Sequence, residues 1–428
     1  MRRWQWVLAQ LSRRLWLRSA LFSLLGALTA LVAIVLRPFI PPRLAGVIGA
    51  DAVDNILGIM ASSMLAVTTF SLGAMVSAYA AAASGVTPRA TELLLQDTKA
   101  QNALSTFIGA FLFSIVGLVA LSTGVYGDAG RVVLFAATIT VICLVVVTLL
   151  SWIEYLSRLG RLGETARRIE EATSKALTGR RENPHMGGLP PGEPMGPEAQ
   201  PIAAARTGYL QYIDIGALDD LAAEIEGHIA VSVLPGAFVA EGGVVARCDR
   251  PLDEAQLERA RSTFIVEDMR SFDHDPRFGL SVLAEIASRA LSPAVNDPGT
   301  AIDVIGRAVR VLSLWAAPGE PTEPRYRNVS LPALGEDDLL ADVFGPIARD
   351  GAGIVQVGIR LQKGLALLAR AGDGRLGQAA LAQAELAAAR ALAMLDFEPD
   401  RVEIQRQLAA MRDAASRGMQ RMSGPAAG

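Results

Sequence analysis

The sequence predicts an α-helical membrane bundle of four transmembrane helices, followed by a cytoplasmic α+β domain with a small β-rich module and a helical tail. Of the 428 residues 51% are hydrophobic, and they concentrate before about residue 155. A helix needs about 20 apolar residues to cross the hydrocarbon core of a bilayer. After about residue 155, hydrophobic and polar residues alternate in short segments, as in strands, or charged residues recur at helical spacing. Both patterns are typical of a domain in water.

Four uncharged runs predict the membrane spans within a transmembrane domain at residues 19–153. They are Ser19–Leu36, Ile56–Thr87, Ala103–Thr123 and Val132–Trp152. The second run is the longest, and we expect it to be the central helix of the bundle. Before the first span, residues 1–18 interleave arginines with tryptophans, a pattern that predicts an interfacial amphipathic segment.

The cations that flank the spans predict the orientation. The amino-terminal arginines, Arg89, Lys99 and the basic residues after the fourth span fall on one face, whereas Arg37, Arg43 and Arg131 fall on the other. Cytoplasmic loops carry the excess of Lys and Arg. The sequence therefore predicts a multi-pass membrane protein with both termini in the cytoplasm.

Small and hydroxylated residues form a stripe along the second span. At spacings of three and four they are Ser62, Ala66, Thr69, Gly73, Ser77, Ala80 and Ser84. A softer stripe on another face consists of Met60, Met64, Ser71 and Met75. Two stripes predict a helix enclosed by protein on more than one side. We take Ser62, Thr69, Gly73 and Ser77 as candidates for close helix packing or for the lining of a narrow path.

The remaining chain is predicted in four parts. Residues 154–178 continue as a charged juxtamembrane helix, and residues 179–205 are rich in Pro and Gly, which predicts a flexible linker. Residues 206–250 predict a small β-rich module with strands at Tyr209–Ile213, Ile229–Val233 and Val244–Arg247. Residues 251–422 predict a mainly helical cytoplasmic domain.

The most distinctive polar stretch lies between two predicted helices, Pro276–Leu291 and Pro298–Trp315. Asp275 and Asp297 each precede a proline, and this pairing is typical of a helix start. One interpretation is therefore capping and packing alone. The other is a small polar pocket for an anion or a partner loop, because exposed amides at a helix start attract negative charge. The candidate residues for this ligand loop are Arg277, Arg289, Ser292, Asn296, Asp297 and Thr300.

Three phrases carry a resemblance to a known family. They are ASSMLAVTTFSLGAMVSAYAAAASGVTPRATELLLQD, STFIGAFLFSIVGLVAL and DPRFGLSVLAEIASRALSPAVNDPGTAID. The chain resembles the bacterial integral membrane proteins grouped as domain-of-unknown-function family 2254, from the first span to at least Leu312. The resemblance implies a four-span protein of the bacterial inner (plasma) membrane with a cytoplasmic domain. It implies no activity, cofactor or catalytic residue.

Several function classes lose support from the sequence. The net charge of −3 favours no nucleic-acid partner, and Cys143 and Cys248 suggest neither a disulfide nor a zinc site. GxxxxGK[ST], HExxH and GxSxG do not occur, and the spans hold no mid-membrane ionisable group for a proton relay. We predict no cofactor and no metal site, and an enzyme remains only a third alternative.

Two classes of function remain open. The first is an oligomeric channel-like or transport protein with a cytoplasmic gate or vestibule. The second is a membrane-anchored sensor or scaffold whose cytoplasmic domain binds a ligand or a protein partner. The expected partners are the lipid bilayer and further copies of the chain, and the small molecule or ion is not specified by the sequence.

Overall fold

The structure is a computed structural model that describes residues 15–35, 50–85, 87–95, 97–123, 127–316, 323–371 and 374–423. Contacts between residues divide the chain into two compact units, with the boundary between Thr165 and Ala166. We call them the N-terminal unit and the C-terminal unit. Most of the predicted interfacial segment, residues 1–14, lies outside the described residues.

The described part of the N-terminal unit consists of helices. They are α1 (Leu15–Val35), α2 (Ala50–Gly85), α3 (Pro88–Leu95), α4 (Thr98–Ser122), α5 (Gly127–Arg158) and the start of α6 (Leu162–Glu182). Asp97 caps α4 by accepting a hydrogen bond from the Lys99 amide. The helices lie where the uncharged runs predicted them, and most extend a few residues beyond those runs.

The described residues contain three helices that are long and apolar enough to cross a membrane, not the four that the sequence predicted. They are Ala52–Ala81, Thr98–Ser122 and Gly130–Arg158. The predicted first span corresponds to α1, whose apolar part Leu17–Thr29 is shorter than 18 residues. A segment of that length falls short of the roughly 20 residues that a span requires. The four-span prediction is corrected accordingly.

The most enclosed of the three long helices is α4, not α2. Of the 18-residue apolar stretch considered in each helix, 56% is buried in α4 and 28% in α2. Phe107 and Phe113 of α4 pack with Leu57 of α2 and Leu134 of α5. The sequence therefore indicated the wrong central helix, because the longest uncharged run belongs to a helix with one buried face.

After the remainder of α6, the C-terminal unit continues with a β-rich module. Its strands are β1 (Gln200–Ala203), β2 (Gly208–Ile213), β3 (Ile229–Val231), β4 (Phe238–Val239), β5 (Val244–Cys248), β6 (Phe264–Glu267) and β7 (Val329–Ser330). They form two sheets with the orders β1-β5-β3-β7 and β4-β2-β6. Among the strand pairs of the described residues, β3 and β7 alone run parallel. Two short helices, α7 (Ile215–Glu224) and α8 (Glu254–Arg261), complete the module.

The predicted strands are confirmed, but the module extends past residues 206–250. Strand β1 and the contacts before it fall in the predicted linker at 179–205. His185 Nδ1 lies 2.7 Å from the Leu331 carbonyl, and the Leu189 amide donates to the Val329 carbonyl at 2.8 Å. Hydrogen bonds therefore attach this stretch to the module, although its content of Pro and Gly predicted a flexible linker.

Six helices follow or flank the module. They are α9 (Pro276–Ala290), α10 (Pro298–Ala316), α11 (Glu336–Asp350), α12 (Val355–Ala371), α13 (Gly374–Met394) and α14 (Glu398–Ser423). Leu283 and Ile286 of α9 are buried, as are Ile305 of α10 and Phe344 of α11. The helical tail was predicted correctly, because its apolar residues recur at the spacing of one helix face.

Candidate functional site

The stripe of small residues on α2 faces away from its own bundle. Ser62, Thr69, Gly73 and Ser77 are all exposed, and a Cβ built on Gly73 would meet no atom within 4 Å. The softer stripe is the buried face instead, formed by Met60, Met64, Ser71 and Met75. The expectation that α2 is enclosed on more than one side was therefore wrong for the single chain.

Large apolar side chains border the stripe on both sides. Ile59 and Phe70 are exposed on one side, and Leu65, Leu72 and Val76 on the other. Small residues between larger ones form a shallow groove that allows another helix to approach closely.

The hydroxyl groups of this groove are partly satisfied by the helix itself. Ser62 donates to the carbonyls of Gly58 and Ile59, and Thr69 donates to the Leu65 carbonyl at 3.0 Å. A hydroxyl bonded in this way can lie in an apolar setting without the cost of an unmade hydrogen bond. The groove is thus compatible with a helix partner as well as with a polar path.

The predicted ligand loop between α9 and α10 forms a compact turn. Asp297 accepts hydrogen bonds from the Thr300 amide at 3.1 Å and the Thr300 hydroxyl at 2.6 Å. These bonds lower the pKa of Asp297 below its ordinary value. Ser292 donates to the Arg289 carbonyl, and Asn296 adopts a positive φ of 48°. The capping interpretation accounts for each of these contacts.

The structure does not bring Arg277 to this loop. Arg277 lies in the first turn of α9, and its guanidinium binds Asp342 at 2.6 and 3.2 Å and Asp338 at 2.8 Å, both on α11. Arg289 lies in the last turn of the same helix, beside the loop. Twelve residues of helix separate the two arginines by about 18 Å, so they do not form one pocket.

A cavity of about 440 Å³ lies between α9 and α11. Its lining residues are Ser281, Ala284, Glu285, Ser288, Ala341, Asp342, Pro346 and Arg349. This volume falls in the range of small-molecule sites. Pro346 has no amide hydrogen, so the Asp342 carbonyl lacks its usual partner within α11. No sequence pattern predicts this cavity, because the residues of its two walls are far apart in the chain.

Helix α6, in which the chain passes from one unit to the other, is attached to α9 and α10 within the C-terminal unit. Glu170 binds Arg307 at 2.8 Å and Arg310 at 2.7 and 3.0 Å. Glu170 and Arg307 are largely buried, with side-chain exposures of 16% and 14%. A Cβ on Gly279 of α9 would overlap the Thr173 side chain, so the two helices touch there.

The carboxyl end of α6 reaches the start of α9. Arg180 Nη2 donates to the His274 carbonyl at 3.3 Å, and Arg181 Nη1 donates to the Leu314 carbonyl at 2.8 Å. Asp275 caps α9 through the Phe278 amide and binds Arg270 with both oxygens. Burial raises the pKa of Asp275, although the bonds from Arg270 oppose that shift.

Asp273, His274 and Asp275 are three consecutive residues with potential metal-ligating side chains, but they do not form a coordinating cluster. The described residues contain no group of three or more His, Cys, Asp or Glu side chains that could hold a metal ion. Asp275 instead forms a salt bridge with Arg270, and the His274 ring centroid lies 5.4 Å from the Tyr212 ring centroid.

Comparison with known proteins places this fold in a family. A family model described as "Predicted membrane protein (DUF2254)" matches residues 12–367, which is more than half of the chain. The chain belongs to the DUF2254 family. This match confirms the resemblance seen in the sequence and includes every candidate residue named above. It identifies a predicted membrane protein of unknown function.

The DUF2254 chain is also similar to mycobacterial proteins. Uncharacterized proteins of Mycobacterium bovis and Mycobacterium tuberculosis are each 34% identical over 143 residues. The match covers 32% of this chain and 27% of each relative, so it spans about a quarter of their length. No solved structure matches significantly. Both relatives are described as uncharacterized, so they assign no activity to this DUF2254 protein.

Proposed function

We propose that this DUF2254 protein is a channel-like oligomer of the bacterial inner membrane, controlled by its cytoplasmic domain. The observation that supports the proposal best is the outward direction of the small-residue groove on α2. A chain that used these residues for its own bundle would bury them. Their exposure favours a contact between copies, because in lipid small residues allow close packing between helices.

The proposed assembly places the α2 helices of neighbouring copies around a common axis. Ser62, Thr69 and Ser77 then lie along that axis. Their hydroxyls turn toward the helix carbonyls when the path is closed and toward a hydrated ion or solute when it is open. Rings of such weakly polar groups suit a solute that is bound only briefly.

Helix α6 supplies the proposed control of this assembly. It follows α5, the last of the three long apolar helices, after a short connection. The ion pairs of Glu170 with Arg307 and Arg310, which we call the Glu170 cluster, attach α6 to α10. A change in the helices α9 and α10 would therefore move α6. Such a link is what a cytoplasmic gate requires.

We further propose that α1 lies in the bilayer beside α4, with both termini in the cytoplasm. The apolar part Leu17–Thr29 is too short to span a bilayer by itself, but the whole of α1 has 21 residues, which is about the length of a span. Helix α1 also exposes Leu21, Leu24 and Leu28. Reporter fusions after Gly179 and at the carboxyl terminus test this orientation. Both fusions should report cytoplasm, and a periplasmic signal from either would overturn it.

A flux measurement tests the channel-like function. The variant Ser77→Cys, in a Cys143→Ser background that removes the exposed native thiol, is placed in liposomes loaded with alkali-metal salts. We expect ion release that a charged thiol reagent blocks. The matched control Val147→Cys carries its thiol on an exposed part of α5 and should conduct without being blocked. Absence of release, or equal block of both variants, would contradict the function.

The second candidate is a membrane-anchored sensor or scaffold. The cavity between α9 and α11 favours it, because α9 also touches α6 at Gly279. A ligand in that cavity would act on the same link without any path through the membrane. A protein that assembles normally, conducts nothing and is stabilised by a small molecule would favour this second function.

A further inference from the structure

The inference concerns Arg180, a buried cation at the start of α9. Arg180 is 5% exposed, and its guanidinium lies beside the residue that precedes the helix cap, since Nη2 donates to the His274 carbonyl. Its Nη1 atom is buried and makes no hydrogen bond with any residue in the described part of the chain. Buried polar atoms are almost always paired, so such an atom needs an explanation.

Asp275, the carboxylate that attracts Arg180, makes no hydrogen bond with Nη1. Both oxygens of Asp275 bind Arg270, at 2.7 and 3.0 Å, and one of them also accepts the Phe278 amide at 3.1 Å. Gly236 packs directly against this carboxylate, because a Cβ at that position would overlap it. Asp275 is thus fixed between Arg270 and the loop of Gly236.

The charges at this place do not balance. Arg180 and Arg270 are two cations, and Asp275 is the one acidic group among the described residues whose charge raises the pKa of Arg180. Burial lowers the pKa of Arg180 to about 10, and the attraction of Asp275 only partly opposes that shift. A water molecule could bond to Nη1 but would leave the excess charge uncompensated. A bound anion would supply both the bond and the charge.

We propose that Arg180 and the amino-terminal end of α9 bind a small inorganic anion of the size of chloride. The amino end of a helix of 15 residues is favourable for negative charge. One free guanidinium edge offers few donors, which suits a monatomic anion better than phosphate, whose several oxygens each need a partner. The site goes beyond the proposed function, because it needs neither an oligomer nor a path through the membrane.

The test is the thermal stability of the full-length protein in mild detergent, with sodium chloride replacing sodium gluconate at constant ionic strength. Constant ionic strength keeps general screening unchanged. We expect the melting temperature to rise by roughly 2–4 °C and then to saturate. Lys175→Met, which removes an exposed cation from the same helix, should show the same rise. Arg180→Met should fold and show no rise with chloride.

Three results would overturn the site. They are no saturable rise in the parent protein, an equal rise in folded Arg180→Met, and a larger rise with inorganic phosphate than with chloride. If Arg180→Met does not fold, Arg180→Lys takes its place, since it keeps the charge and loses the free guanidinium edge. The chloride midpoint of this variant should increase about tenfold or more, and an unchanged midpoint would overturn the proposal.

Discussion

Gly26 of α1 and Gly109 of α4 bring the backbones of these two helices into direct contact. A Cβ on Gly26 would lie 2.5 Å from the Gly109 carbonyl oxygen, and a Cβ on Gly109 would lie 2.9 Å from the Phe22 carbonyl oxygen. No side chain larger than hydrogen fits without moving a helix. Close backbone contact of this kind is a main source of helix association in lipid.

Replacement of either glycine should therefore loosen α1 from α4. We expect Gly26→Val and Gly109→Val to lower the melting temperature in detergent clearly, because the added carbon atoms meet backbone rather than a flexible side chain. Gly58→Val on α2 is the matched control, since a Cβ there would meet no atom within 4 Å. Equal melting temperatures for all three variants would contradict the helix contact.

The cap of α10 makes a second prediction. Asp297→Ala should cost about 1 kcal/mol of unfolding free energy, because the Thr300 amide loses its side-chain acceptor. Chemical unfolding of the full-length protein measures this cost.

The neighbouring Asn296 provides a control for the cap. Its φ of 48° lies in the left-handed region, so Asn296→Ala should also destabilise, by about 1 kcal/mol, whereas Asn296→Gly should not. The sequence alone does not reveal this backbone angle. An unchanged unfolding curve for Asp297→Ala would contradict the role of Asp297 as the cap of α10.

The same cap predicts a dependence on pH. Hydrogen bonds from Thr300 lower the pKa of folded Asp297 below its ordinary value of 3.8. The group therefore contributes stability above that pH and loses it as the pH falls through the folded pKa. Asp297→Asn keeps a capping oxygen but does not titrate. The stability advantage of the parent over Asp297→Asn should shrink between neutral pH and about pH 3, and a constant difference would contradict the role of the carboxylate.

The Glu170 cluster makes a prediction about the attachment of α6. Glu170→Gln should cost about 1–3 kcal/mol, because Arg307 and Arg310 lose a charged acceptor that is 16% exposed. The adjacent Glu171 pairs with Arg167 at the surface, so Glu171→Gln should change stability by less than about 1 kcal/mol. Unfolding in mild detergent compares the two variants. Equal effects would show that the cluster does not attach α6.

Local patterns predicted local structure well, and the failures lie where distant residues meet. The caps at Asp275 and Asp297 and the strands of the module follow from neighbouring residues. Strand β7 has only two residues and pairs with β3 from about a hundred residues away, so no periodic pattern could reveal it.

The faces of helices and the burial of single charges were also beyond the sequence. Two stripes on α2 were visible, but their spacing could not tell which one packs inside the chain. Arg180 and Arg181 are adjacent at the start of the predicted linker, and two consecutive arginines at such a position are typical of a solvent-exposed helix end. Only the position of His274 and Asp275 in space shows that Arg180 is buried.

The central claim is that the groove on α2 joins copies of the chain, and the mass of the detergent-solubilised particle tests it most directly. We expect light scattering during size exclusion to show an oligomer for the parent and for the control Leu72→Ile. Gly73→Leu should give a monomer with an unchanged melting temperature, because the new side chain fills the groove and touches nothing in its own chain. A monomeric parent, or an oligomer of unchanged mass for Gly73→Leu, would contradict the claim.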